Sequence, residues 1–80
     1  MKIVNKPVKV TAIFNTSGKI EPVKFILDDK IIFIEKIIEA KEDNFVGNKR
    51  IVFTCKHKEK YTYELKYELE SGIWYLFTNN

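Results

Sequence analysis

From Tyr61 to Glu70 the chain alternates without interruption. Tyr61, Tyr63, Leu65, Tyr67 and Leu69 hold the odd positions, and Thr62, Glu64, Lys66, Glu68 and Glu70 the even ones. Successive side chains of a β-strand point to opposite faces, so this register predicts an amphipathic strand with its aromatic and leucine side chains on a core and its charges in water. A second alternating run, Arg50 to His57, sets Ile51, Phe53, Cys55 and His57 against Val52, Thr54 and Lys56. The two apolar sets share a face only if paired positions sum to an even number. A loop of Lys58-Glu59-Lys60 does this and places His57 opposite Tyr61, Cys55 opposite Tyr63 and Phe53 opposite Leu65.

The rest of the chain reads as further hairpins, with turn signals at spacings typical of small all-β domains. Val8 to Phe14 alternates and ends at Asn15-Thr16-Ser17-Gly18, a cluster of turn formers. Ile20 to Leu27 is a second strand, whose Pro22 donates no ladder hydrogen bond and is expected at an edge or a bulge. Asp28-Asp29-Lys30 reverses the chain, Asp43 to Asn48 is expected as a loop, and Ser71-Gly72 as a two-residue primed turn that pairs Leu69 with Trp74 and Tyr67 with Leu76.

The segment from Ile31 onward supports two readings. Ile31, Ile34, Ile37 and Ile38 fit a helical stripe over residues 31–42, capped by Asp28 or Asp29, which would make the fold α+β. Against that, the run Ile31-Ile32-Phe33-Ile34 is rich in β-branched residues and favours a strand, with a bulge near Glu35-Lys36 where the inward phase shifts. The strand reading gives an all-β fold of about six antiparallel strands in a meander. Ile31–Ile34 and the last strand are apolar on both sides, so their second face needs cover. Closure into a small barrel, folding of the sheet into a sandwich, or a protein partner would supply it.

Eighty residues make one domain, and 45% apolar with 31% charged residues is the balance of a chain that folds and stays dissolved. The lone Cys55 has no disulfide partner, the first residues lack the apolar run of a secretory signal, and no stretch is long enough to span a membrane. A cytoplasmic location is the expectation. The formal charge of +3 is spread evenly. Its densest excess, Lys49 and Arg50 with Lys56, Lys58 and Lys60, falls at the two ends of one strand, about 20 Å apart at ~3.3 Å per residue.

The pattern Pro22-x-x-Phe25-x-Leu27-Asp28-Asp29-Lys30-x-Ile32-x-Ile34, followed by Gly72-Ile73-Trp74-Tyr75-Leu76, resembles small bacterial all-β domains of unknown function. It covers about a third of the chain. The resemblance implies a strand over 31–38 and carries no activity, cofactor or site residue.

Chemical signatures are few. Cys55 and His57 share a strand face, the minimum for a nucleophilic pair or two metal ligands, but one cysteine and one histidine fall short of a zinc site; Cys55 is expected in the core and His57 against Tyr61 or water. Asp28-Asp29 and Asp43-Asn44 read as turn residues rather than acid–base carboxylates. Each of the three glycines falls at an expected turn, so no phosphate loop is present. No catalytic residue, metal or cofactor is assigned, and the expected class is a non-enzymatic module that acts through a protein partner or a second copy. Ile31, Phe33, Ile73, Tyr75 and Phe77, the surplus outward apolar residues, are the candidates for that contact. A small β-barrel binding single-stranded nucleic acid is the alternative, with Tyr61, Tyr63, Tyr67, Tyr75 and Phe77 as stacking groups; Glu64, Glu68 and Glu70 weigh against it.

Overall fold

The computed structural model describes residues 2–79. Six extended runs, joined by hairpin turns, supply eight strands because two of the runs bend. The first bends at Val8 into β1 (Lys2–Pro7) and β2 (Lys9–Phe14), and the third bends at Ile34 and Glu35 into β4 (Lys30–Phe33) and β5 (Lys36–Phe45). The others are β3 (Ile20–Leu27), β6 (Asn48–His57), β7 (Tyr61–Glu68) and β8 (Trp74–Asn79). They form a five-stranded antiparallel sheet, β1-β8-β7-β6-β5, and a three-stranded one, β2-β3-β4. The fold is all-β and the ladder is not closed into a barrel.

Each bend carries the chain from one sheet to the other without losing backbone hydrogen bonds. Val8 N–H donates to Trp74 O at 3.0 Å, Ile34 N–H to Val23 O at 2.9 Å and Glu35 N–H to Lys56 O at 3.0 Å. The helix considered for 31–42 does not form. Ile31, Ile32 and Ile34 lose side-chain freedom in a helix and pack well on a pleated surface, and here β-branching outweighs the helical spacing. The phase shift expected as a bulge near Glu35-Lys36 is the change of sheet itself. A bulge does occur nearby, at Ile38, between the pairs Ile37↔Cys55 and Glu39↔Thr54.

The β6–β7 register is the expected one, from His57↔Tyr61 through Phe53↔Leu65. The last hairpin differs. Gly72 (φ 73°) sends its N–H to Glu68 O at 2.9 Å, while Ser71 Oγ accepts from Ile73 N–H at 3.2 Å and donates to the Glu68 carboxylate at 2.9 Å. These bonds make Leu69–Gly72 a four-residue loop rather than a two-residue turn, so Trp74 pairs with Tyr67 and Leu76 with Leu65. The slip is by two residues and preserves the faces as far as Phe77, which is a bulge between the pairs Leu65↔Leu76 and Glu64↔Thr78; it drops Leu69 from the β7–β8 ladder and leaves it exposed.

The loop expected over Asp43–Asn48 is also corrected: β5 and β6 pair out to Phe45↔Asn48, and only Val46 (φ 51°) and Gly47 (φ 82°) turn the chain. Asp43 and Asn44 are therefore strand residues. Two successive positive φ values define a primed turn, which suits asparagine at its first position and strains a β-branched side chain. Val46 is 85% exposed, so nothing is lost from the core by replacing it. Val46→Asn is expected to stabilise the protein by about 1 kcal/mol, raising Tm by roughly 4–8 °C in a thermal melt.

The core holds Phe53, Cys55, Tyr63, Leu65, Trp74 and Leu76 from the five-stranded sheet and Phe25 from the three-stranded one. Phe25 meets Tyr63 edge-on at 5.2 Å between ring centroids. Val10, Ala12, Ile20, Leu27, Ile32 and Ile34 pack around this cluster half-buried. Pro22 is buried in the central strand of its sheet, tolerated because the ladder slips there: Thr11 pairs with Lys24 and Ala12 with Pro22, which leaves Val23 as the bulge residue. The open edge of β5 carries Lys36, Glu39, Lys41, Glu42 and Asp43, charges that discourage edge-to-edge pairing.

Candidate functional site

The five nominated contact residues are divided among three places. Ile31 and Phe33 alternate with half-buried Ile32 along β4 and lie on the outer face of the three-stranded sheet, each 53% exposed. Tyr75 and Phe77 lie on β8 in the five-stranded sheet and are half-buried. Ile73 is exposed at the start of the return from the last loop. Lys66 Nζ sits 3.5 Å from the centre of the Phe77 ring, and burial, helped by the nearby Arg50 charge, lowers the affinity of that ammonium for its proton. Phe77 is thus capped by the protein's own lysine.

The β4 pair gains a neighbour that sequence reasoning missed. Ile26 lies opposite Ile31, and Lys24 lies opposite Phe33 with its Nζ 5.7 Å from the ring centre. Lys9 flanks Ile26 on β2. Ile26, Ile31 and Phe33 therefore form one exposed apolar triangle edged by two lysines. The signal for Ile26 was Pro22: the bulge beside it moves the inward phase of β3 from Ile20 and Pro22 to Phe25 and Leu27, which turns Ile26 outward.

Cys55 and His57 do not assemble a reactive pair. The thiol is fully enclosed in the core, and desolvation pushes its pKa up to about 12, the opposite of what a thiolate nucleophile needs. His57 Nδ1–H donates to Phe33 O at 2.8 Å across the two sheets, and its ring stacks on Tyr61 with centroids 6.3 Å apart. Asp28 and Asp29 both have positive φ in the β3–β4 turn, and Asp28 accepts from Lys6 Nζ at 3.1 Å, while Asp43 pairs with Arg50. Among the described residues no cluster of three or more His, Cys, Asp or Glu side chains could hold a metal. Among the described residues no helix is long and apolar enough to cross a membrane.

A cleft of about 570 Å³ opens where the five-stranded sheet extends past the three-stranded one. Its floor is the inner side of Ile51, Phe53 and Tyr67, with Leu69 and Ala40 at the sides. Its opposite wall is the β2–β3 turn, with Phe14, Lys19 and Ile20. Asn15 fixes that wall: its Oδ1 accepts from Ser17 N–H and Lys19 N–H, each at 3.0 Å, and its amide donates to Glu21 at 2.8 Å. Leu69 N–H is held by Lys49 O at 3.1 Å. The sequence did not reveal the cleft, because it exists only if β5 and β6 run on to a two-residue turn.

Of the aromatics named for base stacking, Tyr63 is buried and Tyr67 packs on Trp74 at 4.7 Å between centroids. Compared with family models, curated proteins and solved structures, the chain matches none.

Proposed function

We propose that this chain is a non-enzymatic binding module whose two sheets pack face to face as a small sandwich, and that it docks the outer face of its three-stranded sheet on a partner protein. The observation that carries this reading is the triangle of Ile26, Ile31 and Phe33, contiguous across β3 and β4 and exposed to water. Exposed apolar groups that touch one another mark interfaces more often than scattered ones do. Lys9 and Lys24 at the edge of the triangle favour an acidic rim on the partner. They also weigh against self-association, since a two-fold contact over the triangle would gather both lysines of each copy in one small interface. The free, reduced form of Cys55 suits a cytoplasmic setting. A single strand of nucleic acid is the weaker occupant, because Tyr63 and Tyr67 are engaged in the core rather than presented for stacking.

The test compares wild type with Phe33→Glu and Tyr75→Glu. Phe33→Glu is expected to change stability by no more than about 0.5 kcal/mol, as for other exposed positions. It is expected to weaken the complex captured from the native cells by ~2 kcal/mol or more, roughly thirtyfold, as a central aromatic anchor does. Tyr75→Glu, on the other sheet, is expected to leave capture intact. Equal capture by all three proteins rejects this face. A wild-type dimer in light scattering that Phe33→Glu dissolves replaces the heterologous partner by a second copy.

A further inference from the structure

Where the five-stranded sheet overhangs, its inner face lacks a second layer. The register fixes what that face carries. Glu42 pairs with Ile51 and Asn44 with Lys49, and Lys49 O accepts from Leu69 N–H at 3.1 Å, so Glu42, Lys49 and Leu69 share the cleft side with Ile51 and Tyr67. Lys41 and Asp43 alternate with them onto the outer face. Leu69 is 45% exposed, an apolar side chain that keeps the inward phase beyond the reach of the opposing sheet. Glu42 and Lys49 are the two charges that β5, β6 and β7 place on this side of the overhang. Both are exposed, and neither forms an ion pair among the described residues. A patch of one sign repels its own copy, whereas a patch with both signs side by side can attract it. In a two-fold contact residue i meets residue j of the other chain and j meets i, so Glu42 and Lys49 satisfy each other twice.

We propose that the overhang packs face to face on the overhang of a second copy of this chain, with Glu42 of each chain against Lys49 of the other. Each copy supplies the layer the other lacks. With strands ~4.8 Å apart and a rise of ~3.3 Å per residue, that pairing carries Leu69 of one chain over the Ala40 and Phe53 side of the other's cleft, which it fills. The contact leaves Ile26, Ile31 and Phe33 free on the outer face of the other sheet, so the dimer is independent of the docking face. A patch confined to one end of a small domain lies at the small end of specific interfaces, so the dimer forms at high protein concentration.

The experiment is sedimentation equilibrium of the intact protein up to the concentration of an NMR sample. Wild type is expected to pass from one chain to two as the concentration rises. Glu42→Lys and Lys49→Glu, both at exposed positions, should each weaken the dimer at least about tenfold with circular dichroism unchanged, because each sets like charges together twice. Mixed in equal amounts, the two variants should associate as well as wild type does, since in the mixed pair every like-charge contact becomes an opposite-charge one. Mixing cannot restore an ion pair inside one chain, so recovery reports a contact between chains. Leu69→Asp should also abolish the dimer, and Phe33→Glu should leave it intact, which separates this surface from the docking face. A wild type that stays monomeric, single charge variants that dimerise like it, a mixture that stays apart, a dimer that survives in folded Leu69→Asp, or one lost in Phe33→Glu each overturns the proposal.

Discussion

Replacing Phe25 with alanine is expected to cost about 3–5 kcal/mol, the range for truncating a buried phenylalanine. For a chain of this size the total stability is ~4–12 kcal/mol, so the variant should unfold at a much lower denaturant concentration or fail to fold at 37 °C. Phe25 is 1% exposed and, from the centre of the three-stranded sheet, packs its ring against Tyr63 of the other sheet. Half-buried Val10, Ala12, Ile20, Leu27, Ile32 and Ile34 pack around the same core, and the polar ties between the sheets are weak or few. Lys6 and Asp28 form a solvent-exposed ion pair, worth well under ~1 kcal/mol, and His57 supplies one hydrogen bond to Phe33 O. The alanine also leaves a void that stiff, hydrogen-bonded sheets cannot close. Guanidinium titration followed by Trp74 emission measures the loss. Phe14→Ala serves as the control, since Phe14 is largely exposed at the far end of β2 and should cost little. A loss below about 1.5 kcal/mol for Phe25→Ala means that the three-stranded sheet is held by something other than this contact.

The strands were legible where alternation was clean and both partners of a hairpin were amphipathic. The β6–β7 register followed from the single condition that Phe53, Cys55, Tyr63 and Leu65 share a face. It failed in detail where a turn could close in more than one way: at Ser71-Gly72 the hydroxyl of Ser71 and the positive φ of Gly72 build a four-residue loop that composition alone does not distinguish from a two-residue one. The ends of the long alternation also fall outside the core. Tyr61 and Leu69 continue the pattern but reach past the three-stranded sheet that covers the centre. Alternation specifies a face; cover depends on the length of the opposing sheet.

The bends were not legible for a related reason. Ile34 and Glu35 carry no glycine or proline to mark a corner, Val8 is marked only by the Pro7 before it, and the extended backbone continues through them. The chain changes sheet because Pro7 and the Ile31–Ile34 run sit where one ladder ends and another begins. About six strands were read where eight exist because β4 and β5 were taken as one strand and β1 (Lys2–Pro7) was not read as a strand at all. The change of sheet also explains the division of the nominated contact residues. Ile31 and Phe33 were grouped with Tyr75 and Phe77 on the argument that all face outward, which is correct, but outward from different sheets. Ile26, hidden in the sequence by the slip beside Pro22, completes the patch on one of them.

Cys55 should be inert in the folded protein and should make stability fall in alkali. Iodoacetamide reaches an enclosed thiol only when the structure opens, so alkylation is expected to be at least about a thousandfold slower than in denaturant. The pH dependence follows from the raised pKa. In the unfolded chain the thiol ionises near its ordinary value of about 9, whereas the folded protein holds the proton to about 12. Between those values the unfolded state is stabilised by losing a proton that the folded state keeps. The contribution is absent below about pH 9 and grows by about 1.4 kcal/mol per pH unit up to about pH 12. Burial also raises the pKa of Tyr63, but Tyr63 is present in a Cys55→Ala protein as well, so the comparison isolates the thiol. At neutral pH Cys55→Ala should be less stable by roughly 1 kcal/mol for the lost packing of one heavy atom. Its deficit should shrink above pH 9, and the two stability curves should cross near about pH 10. Curves that stay parallel from pH 8 to 11 would show that Cys55 ionises freely in the fold, and the enclosed core around Leu65 and Leu76 would have to be abandoned.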